Sequence, residues 1–468
     1  MKKARIGLSL LMAVCLVLVQ ACSDENDPIE EISNGLDDIT STTDLSLATH
    51  AVAYQWTDLL LPLERYSSGR PNASARSMAY IYLAAYETIA PGSDTYRSLD
   101  GAFRNLRIRD DERAEEIDYQ IALNTAFARV VDHFLLNVPT ILTSEIETLE
   151  SEIDLRLAGT YSSELISDSQ AWGEYVAQQV IAYSQTDDDA EAQILDPQPS
   201  DYEPPTGEGF WTYSAEEERA LYPYWGETVR SFVIRPRETS AVAPIAYSED
   251  PNSDYYAQMQ EVVTANNAAR EEDGEQLWIA EFWSDDVEGL MMSPPVRQVA
   301  IANQLIEQYD LNLEASLALM VKLGFALNDA AVASWKHKYD FMVMRPNVYI
   351  HEFIDPAFQT NLFRLVFWPN PSFPSYPSGH STFASAAGGV FIDTFGDATT
   401  FTDRTHEGRT EFRSDPRTFS TFSDMAAENA YSRIPLGVHM RMDCDEGLRL
   451  GYEIADAINS VDLTAFNQ

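Results

Sequence analysis

Cysteine is almost missing from this chain: three in 468 residues, Cys15, Cys22 and Cys444. A disulfide-stapled scaffold is therefore excluded, and stability must come from core burial. Positive charge is scarce as well, with 31 Lys and Arg against 74 Asp and Glu, a formal net charge of −43. That balance excludes the basic footprint that phosphate backbones require, so nucleic acid is not an expected partner. It makes a soluble, self-repelling surface, and any anion site must collect its few cations locally. Long apolar runs are confined to Ile6–Val19, and no later stretch reads as a membrane span. Strand-like alternation is rare, and no repeat of solenoid period occurs.

The N-terminus reads as a processing segment. Lys2, Lys3 and Arg5 precede the apolar run, and Val19-Gln20-Ala21-Cys22 follows it. This stretch resembles the lipobox of bacterial lipoproteins, which implies cleavage before Cys22 and a lipid on that residue. Residues 1–21 are then a signal peptide. Residues 22–48, acidic and Ser/Thr-rich, read as a flexible tether. The run Ser23–Asp27 resembles a surface-export tag. The expectation is an exported lipoprotein on the outer membrane, periplasmic or at the cell surface, touching the membrane only through Cys22. Cys444 remains, as a small packed residue.

From Ala51 onward three- and four-residue spacing of apolar residues dominates, as in Tyr80, Leu83, Ala84 and Thr88. It predicts helices near 51–66, 74–90, 114–135, 139–158 and 168–184, then 254–270, 296–309 and 314–339. Further helices are predicted near 358–366, 380–395, 423–433 and 436–460. Between them, 185–250 reads as a long irregular region rich in Pro and aromatics. Its Asp187-Asp188-Asp189 run lacks the Gly and terminal Glu of a calcium loop and reads as a solvated turn. Trp211, Tyr213, Tyr222, Tyr224 and Trp225 read as packing groups. The expected architecture is all-α: a single helical domain over 49–468 with long irregular loops.

Three short blocks carry chemistry, all within about 276–460. The first is KYDFMVMRP, with Lys338 and Arg345. The second is Pro377-Ser378-Gly379-His380, a turn feeding a small-residue helix. The third is SRIPLGVHMRMD, with Arg433, His439 and Asp443. Lys338, Arg345 and Arg433 are three cations in a chain that owns few, and guanidinium forks match pairs of oxyanion oxygens. Ser378 and the Gly379 N–H sit at a helix start, where open amides and the helix dipole favour anions. If 436–460 is one helix, His439 and Asp443 share a face four residues apart. Asp443 then accepts the Nδ1 proton and presents Nε2 to the anion. His380 is left for acid–base work. Ser432 reads as a cap or support; His337 and His351 take no role.

The three blocks resemble the signature shared by vanadium-dependent haloperoxidases and type 2 phosphatidic acid phosphatases. The resemblance implies an all-α fold with an anion pocket inside a helical bundle. Lys338, Arg345, Ser378, Gly379, His380 and Arg433 would bind the oxyanion, and His439 would be the vanadium ligand or, in a phosphatase, the nucleophile. His380 would be the acid–base residue, Lys338 would polarise bound peroxide, and Asp443 would orient His439.

A narrower likeness favours the haloperoxidases. FPSYPSGHSTF, with Phe373, and WKHKYDF, with Trp335, are similar to haloperoxidase sequence; Met440 departs from the aromatic usual there. AEFWSDD resembles an upstream element whose acid, Asp285 or Asp286, supports the pocket. The implied cofactor is vanadate, and the implied partners are hydrogen peroxide and a halide. No haem or flavin fingerprint occurs. The choice of halide, an organic acceptor and self-association stay open. The alternatives are a phosphomonoesterase with His439 as nucleophile, and an oxyanion-binding lipoprotein without turnover.

Overall fold

The computed structural model describes residues 36–213, 218–235, 239–270, 274–285, 287–363 and 370–464. The signal segment, Cys22, the first part of the tether and Asp286 lie outside the described residues. The chain is mostly helical, as its periodicity predicts. The N-terminal half carries α1 (Ala51–Glu64), α2 (Asn72–Ile89), α3 (Tyr119–Phe134), α4 (Thr140–Leu157) and α5 (Ser163–Ser184). Two short helices follow, α6 (Asp188–Leu195) and α7 (Trp225–Thr228). The second half carries α8 (Asp254–Ala268), α9 (Glu275–Phe282), α10 (Pro294–Gln308), α11 (Leu313–Phe341) and α12 (Pro346–Phe353). It ends with α13 (Gly379–Phe395), α14 (Phe422–Leu436) and α15 (Arg441–Asn459).

Helix starts follow capping chemistry. Asp118 accepts from the Gln120 and Ile121 amides and starts α3, later than the expected start near 114. Ser162, Ser253, Asn312, Ser378 and Thr421 cap α5, α8, α11, α13 and α14 in the same way. Each such cap is worth about 1 kcal/mol.

Helix α2 is buried on every side, the mark of an interior helix. It packs on α3, α5 and α11, while α11 also packs on α13 and α15. The long helix is thus the spine shared by the two bundles, and one apolar core runs through both. By length and composition α11 could cross a bilayer, contrary to the expectation of no such stretch. Its apolar window is 89% buried inside the fold, as in a core helix. Glycine permits the close approach: a Cβ on Gly324 would lie 2.9 Å from the Ala79 Cα on α2.

Three expectations are corrected. Residues 36–48, read as the end of a flexible tether, lie on the body, where Leu36, Ile39, Leu45 and Ala48 are buried in the main core. Asp187, read as part of a solvated turn, is buried, accepts from the Arg230 amide and lies 3.7 Å from Arg76 Nε. A small antiparallel hairpin, β1 (Phe401–Asp403) with β2 (Arg417–Phe419), pairs Phe401 with Phe419 where no strand is expected. The hairpin is too short for its alternation to register in sequence.

Candidate functional site

The C-terminal end of α11, the 373–378 loop and the α14–α15 junction meet at one place. Met342, in the left-handed region at φ 51°, ends α11 and turns the chain into Arg345 at the start of α12. The 373–378 loop is tied down by Ser375 N donating to Val343 O at 2.9 Å and Ser378 N donating to Asp443 O at 2.9 Å. Ser378 then caps α13 with its hydroxyl oxygen, so Gly379 and His380 open that helix. Gly437, at φ 87°, stops α14.

That stop corrects the expected helix over 436–460. His439 lies in the short connection and Asp443 in the first turn of α15, so they do not share a helical face. They meet nonetheless. Asp443 Oδ2 accepts from His439 Nδ1 at 3.0 Å, from the Met440 amide at 3.1 Å and from Ser375 Oγ at 2.5 Å. The carboxylate closes the helix start and holds the imidazole in one act. On the other side of the ring, Arg345 Nη1 lies 3.3 Å from His439 Nε2. The two contacts assign one tautomer: Nδ1 carries the proton and Nε2 keeps its lone pair.

The three expected cations converge here. Lys338, Arg345 and Arg433 are all buried. Lys338 Nζ donates to the carbonyls of Pro374 at 3.1 Å, Ser375 at 2.9 Å and Pro377 at 2.6 Å. Arg345 donates to Phe373 O at 2.9 Å and Val438 O at 3.1 Å. Arg433 donates to Trp283 O at 3.1 Å. Phe373 places its ring 5.1 Å from the Lys338 ammonium and 4.7 Å from the Arg345 guanidinium, a cation–π arrangement on both.

Burial, then Arg345, Lys338, Arg433 and His380, hold the His439 imidazole well below its usual range. Burial and Arg345 likewise push Lys338 down, and burial pushes Asp443 up. Burial leads all three shifts; the neighbouring cations press His439 and Lys338 further down and oppose the rise at Asp443. Among the described residues, Asp443 is the carboxylate in contact with His439, against three buried cations. Such a pocket fits a small multiply charged oxyanion, which would restore the charge balance that burial demands. Vanadate or phosphate matches this donor set. Gly379 keeps the wall thin, since a Cβ there would meet Trp335 at 3.4 Å.

A cleft of about 170 Å³ leads to the site, and His380, Gly379, Arg433, His439, Trp335 and Phe373 line it. Lys338, Arg345 and Ser378 are not among its lining residues; Arg345 reaches the site through His439. Asp285 lines the cleft and pairs with Arg297 at 3.8 Å, while Arg297 donates to Asp403 on β1 at 2.8 Å. Ser432 is no cap: its hydroxyl donates to Asn429 O inside α14. His337 contacts Thr239, and His351 contacts the Phe358 carbonyl, both away from the cleft.

Sequence reasoning missed two groups. Ser375 binds Asp443, and the signal for it was weak, a serine between two prolines. Arg70 and Ser293 reach the cleft from just before α2 and from the start of α10, and no local motif joins them to the three blocks.

Known proteins share parts of this sequence and its fold. Residues 318–467 match the family model described as the VCPO second helical-bundle domain. The vanadium chloroperoxidase of Curvularia inaequalis is 25% identical over 189 residues, covering 35% of this chain and 31% of that protein. The alignment thus spans less than a third of that relative. The crystal structure of the first bacterial vanadium-dependent iodoperoxidase superposes with a TM-score of 0.76 at 25% identity, covering 89% of this chain and 98% of the other. An apo-type bacterial vanadium-dependent chloroperoxidase superposes with a TM-score of 0.65 at 18% identity, covering 89% and 98%, a likeness of fold. Residues 318–467 thus match the second helical-bundle domain of that family, and the fold over 89% of the chain is similar to that of a bacterial vanadium-dependent iodoperoxidase.

Proposed function

We propose that this protein oxidises a halide with hydrogen peroxide, using vanadate held at His439. The observation that carries the reading is the convergence of Lys338, Arg345 and Arg433 on an imidazole whose Nε2 lone pair is fixed by Asp443. The overall reaction consumes halide, hydrogen peroxide and one proton, and yields hypohalous acid and water. Vanadate, when bound, supplies a Lewis-acid centre that activates peroxide toward the halide and keeps its own oxidation state.

The chain's residues divide the remaining work. His439 Nε2 would hold the metal, with its ring oriented by Asp443. Arg345 and Arg433 would neutralise the oxyanion, and the start of α13 would offer its amides. Ser378 uses its oxygen as the cap acceptor, which leaves its hydroxyl hydrogen for the anion. Lys338 contributes its field from the 374–377 carbonyls that fix it in place. His380, on the cleft wall, is placed to deliver and remove the proton that the reaction consumes.

The test is a peroxide and halide assay on purified protein, with and without orthovanadate. Halide oxidation that requires vanadate, is inhibited by phosphate and is lost in His439→Ala supports the reading. Hydrolysis of a phosphate ester, blocked by vanadate and without halide oxidation, would instead make His439 a nucleophile. Oxyanion binding with no turnover of either kind, and unaffected by His380→Ala, would leave a binding protein.

A further inference from the structure

One wall of the cleft is built from segments distant in sequence from the three blocks and from each other. Arg70, Pro71, Ser293 and Pro294 line it together with His380 and Arg433. Glu64, fully buried, joins the two polar members. Its Oε1 accepts from Arg70 Nε at 3.1 Å and its Oε2 accepts from the Ser293 amide at 3.0 Å. Arg70 Nη2 donates to Met291 O at 2.7 Å. The Arg70 side chain is 9% exposed, yet its Nη1 has no hydrogen-bond partner.

The Ser293 hydroxyl is buried and has no partner either. The cause lies in the sequence. Ser293 is the N-cap of α10, and Pro294 and Pro295 follow it, so the first two helical positions present no amide to its hydroxyl. Its side chain makes no cap hydrogen bond. Two residues tied to one carboxylate, one of them at the positive end of a 15-residue helix, thus stand on the wall of a cleft that Leu221, Phe373 and Phe383 also line, with Asp285, His380 and Arg433.

We propose that Arg70 and Ser293 form the halide subsite, holding a single-charged anion on the wall of the cleft beside the vanadate pocket. The inference rests on the haloperoxidase reading. The Arg70–Glu64 pair is neutral overall, so the site suits a weakly hydrated halide delivered through two hydrogen bonds and a helix dipole, with affinity low enough for turnover. Leu221, Phe373 and Phe383 on the same wall give a strongly hydrated anion little to replace its water shell. Arg70 and Ser293 are thus specificity residues, separate from the cations that hold vanadate.

The test pairs kinetics with direct binding. Arg70→Lys keeps a charge for Glu64 but removes Nη1, and Ser293→Ala removes one hydroxyl. Each should raise the halide KM, about tenfold for Arg70→Lys and several-fold for Ser293→Ala. The peroxide KM and the vanadate requirement should stay within about twofold, a split that general loosening would not produce. Bromide soaked into crystals of the wild type should give an anomalous peak beside Arg70 Nη1, lost in Ser293→Ala crystals. Unchanged halide KM in both folded variants, or bromide bound elsewhere in the cleft, overturns the subsite. A wild-type protein that oxidises no halide with vanadate present overturns the underlying reading instead, and the bromide peak then decides the subsite by itself.

Discussion

Asp443 Oδ2 lies 3.0 Å from His439 Nδ1, although the two residues stand on opposite sides of a helix start. The same oxygen accepts from the Met440 amide and from Ser375. One carboxylate thus begins α15, anchors the 373–378 loop and fixes the imidazole.

Replacing Asp443 with Ala should therefore weaken vanadate binding by about 10- to 100-fold, the usual cost of losing a partner behind a metal-binding histidine. Ser375→Ala should have the same sign and a smaller size. Equilibrium dialysis against orthovanadate measures both. Vanadate affinity unchanged in folded Asp443→Ala would remove Asp443 from the site.

Lys338 serves the loop before it serves the anion. Its ammonium donates to three backbone carbonyls, those of Pro374, Ser375 and Pro377. Lys338→Met should destabilise the protein by on the order of 3 kcal/mol, because three buried acceptors lose their donor. Lys338→Gln, which keeps an amide donor, should lose less. Urea midpoints in the absence of vanadate give the comparison, and equal midpoints would show the clamp to be energetically idle.

Two glycines set how closely α15 approaches α13. A Cβ on Gly451 would lie 2.0 Å from Ser385 Oγ and 2.4 Å from Thr382 O, and one on Gly447 would lie 2.6 Å from Ser378 O. Gly451→Ala should cost about 1–3 kcal/mol as an overpacked helix contact. Gly447→Ala should cost a similar amount and also weaken vanadate binding, since the nearest atom displaced is the Ser378 carbonyl oxygen. Thermal unfolding beside vanadate titration separates the two effects.

Glu87 in α2 gives stability a pH dependence remote from the site. Burial raises its carboxyl from 4.5 to about 7, against the hydrogen bonds from Ser98 and the Leu99 amide. The folded state keeps this proton where the unfolded chain has released it, so stability falls as pH rises from about 4.5 to about 7. Glu87→Gln removes that dependence. Between pH 4.5 and 8 the wild type should lose on the order of 3 kcal/mol relative to the variant. Parallel urea curves at both pH values would contradict it.

The helices were legible because apolar spacing and capping residues are local signals, and the three blocks were legible because they concentrate rare cations beside histidines. The Asp443–His439 pairing was expected from helical spacing and occurs by another route, since Gly437 breaks the helix and the capping geometry of α15 restores the contact. The hairpin at Phe401–Phe419 was too short to show alternation. Residues 36–48 read as tether from composition, yet four apolar side chains among polar neighbours suffice to lay them on the core.

The sequence by itself determined an all-α chain, with a small set of cations and imidazoles marked for one anion. Capping, periodicity and residue chemistry act over a few positions and need no partner. Only the tertiary structure decided which cation stands behind which wall, that Lys338 is held by loop carbonyls, and that Arg70 and Ser293, far apart in sequence, join the same cleft. Those facts depend on burial and on contacts between residues more than 200 positions apart, and no local pattern encodes them.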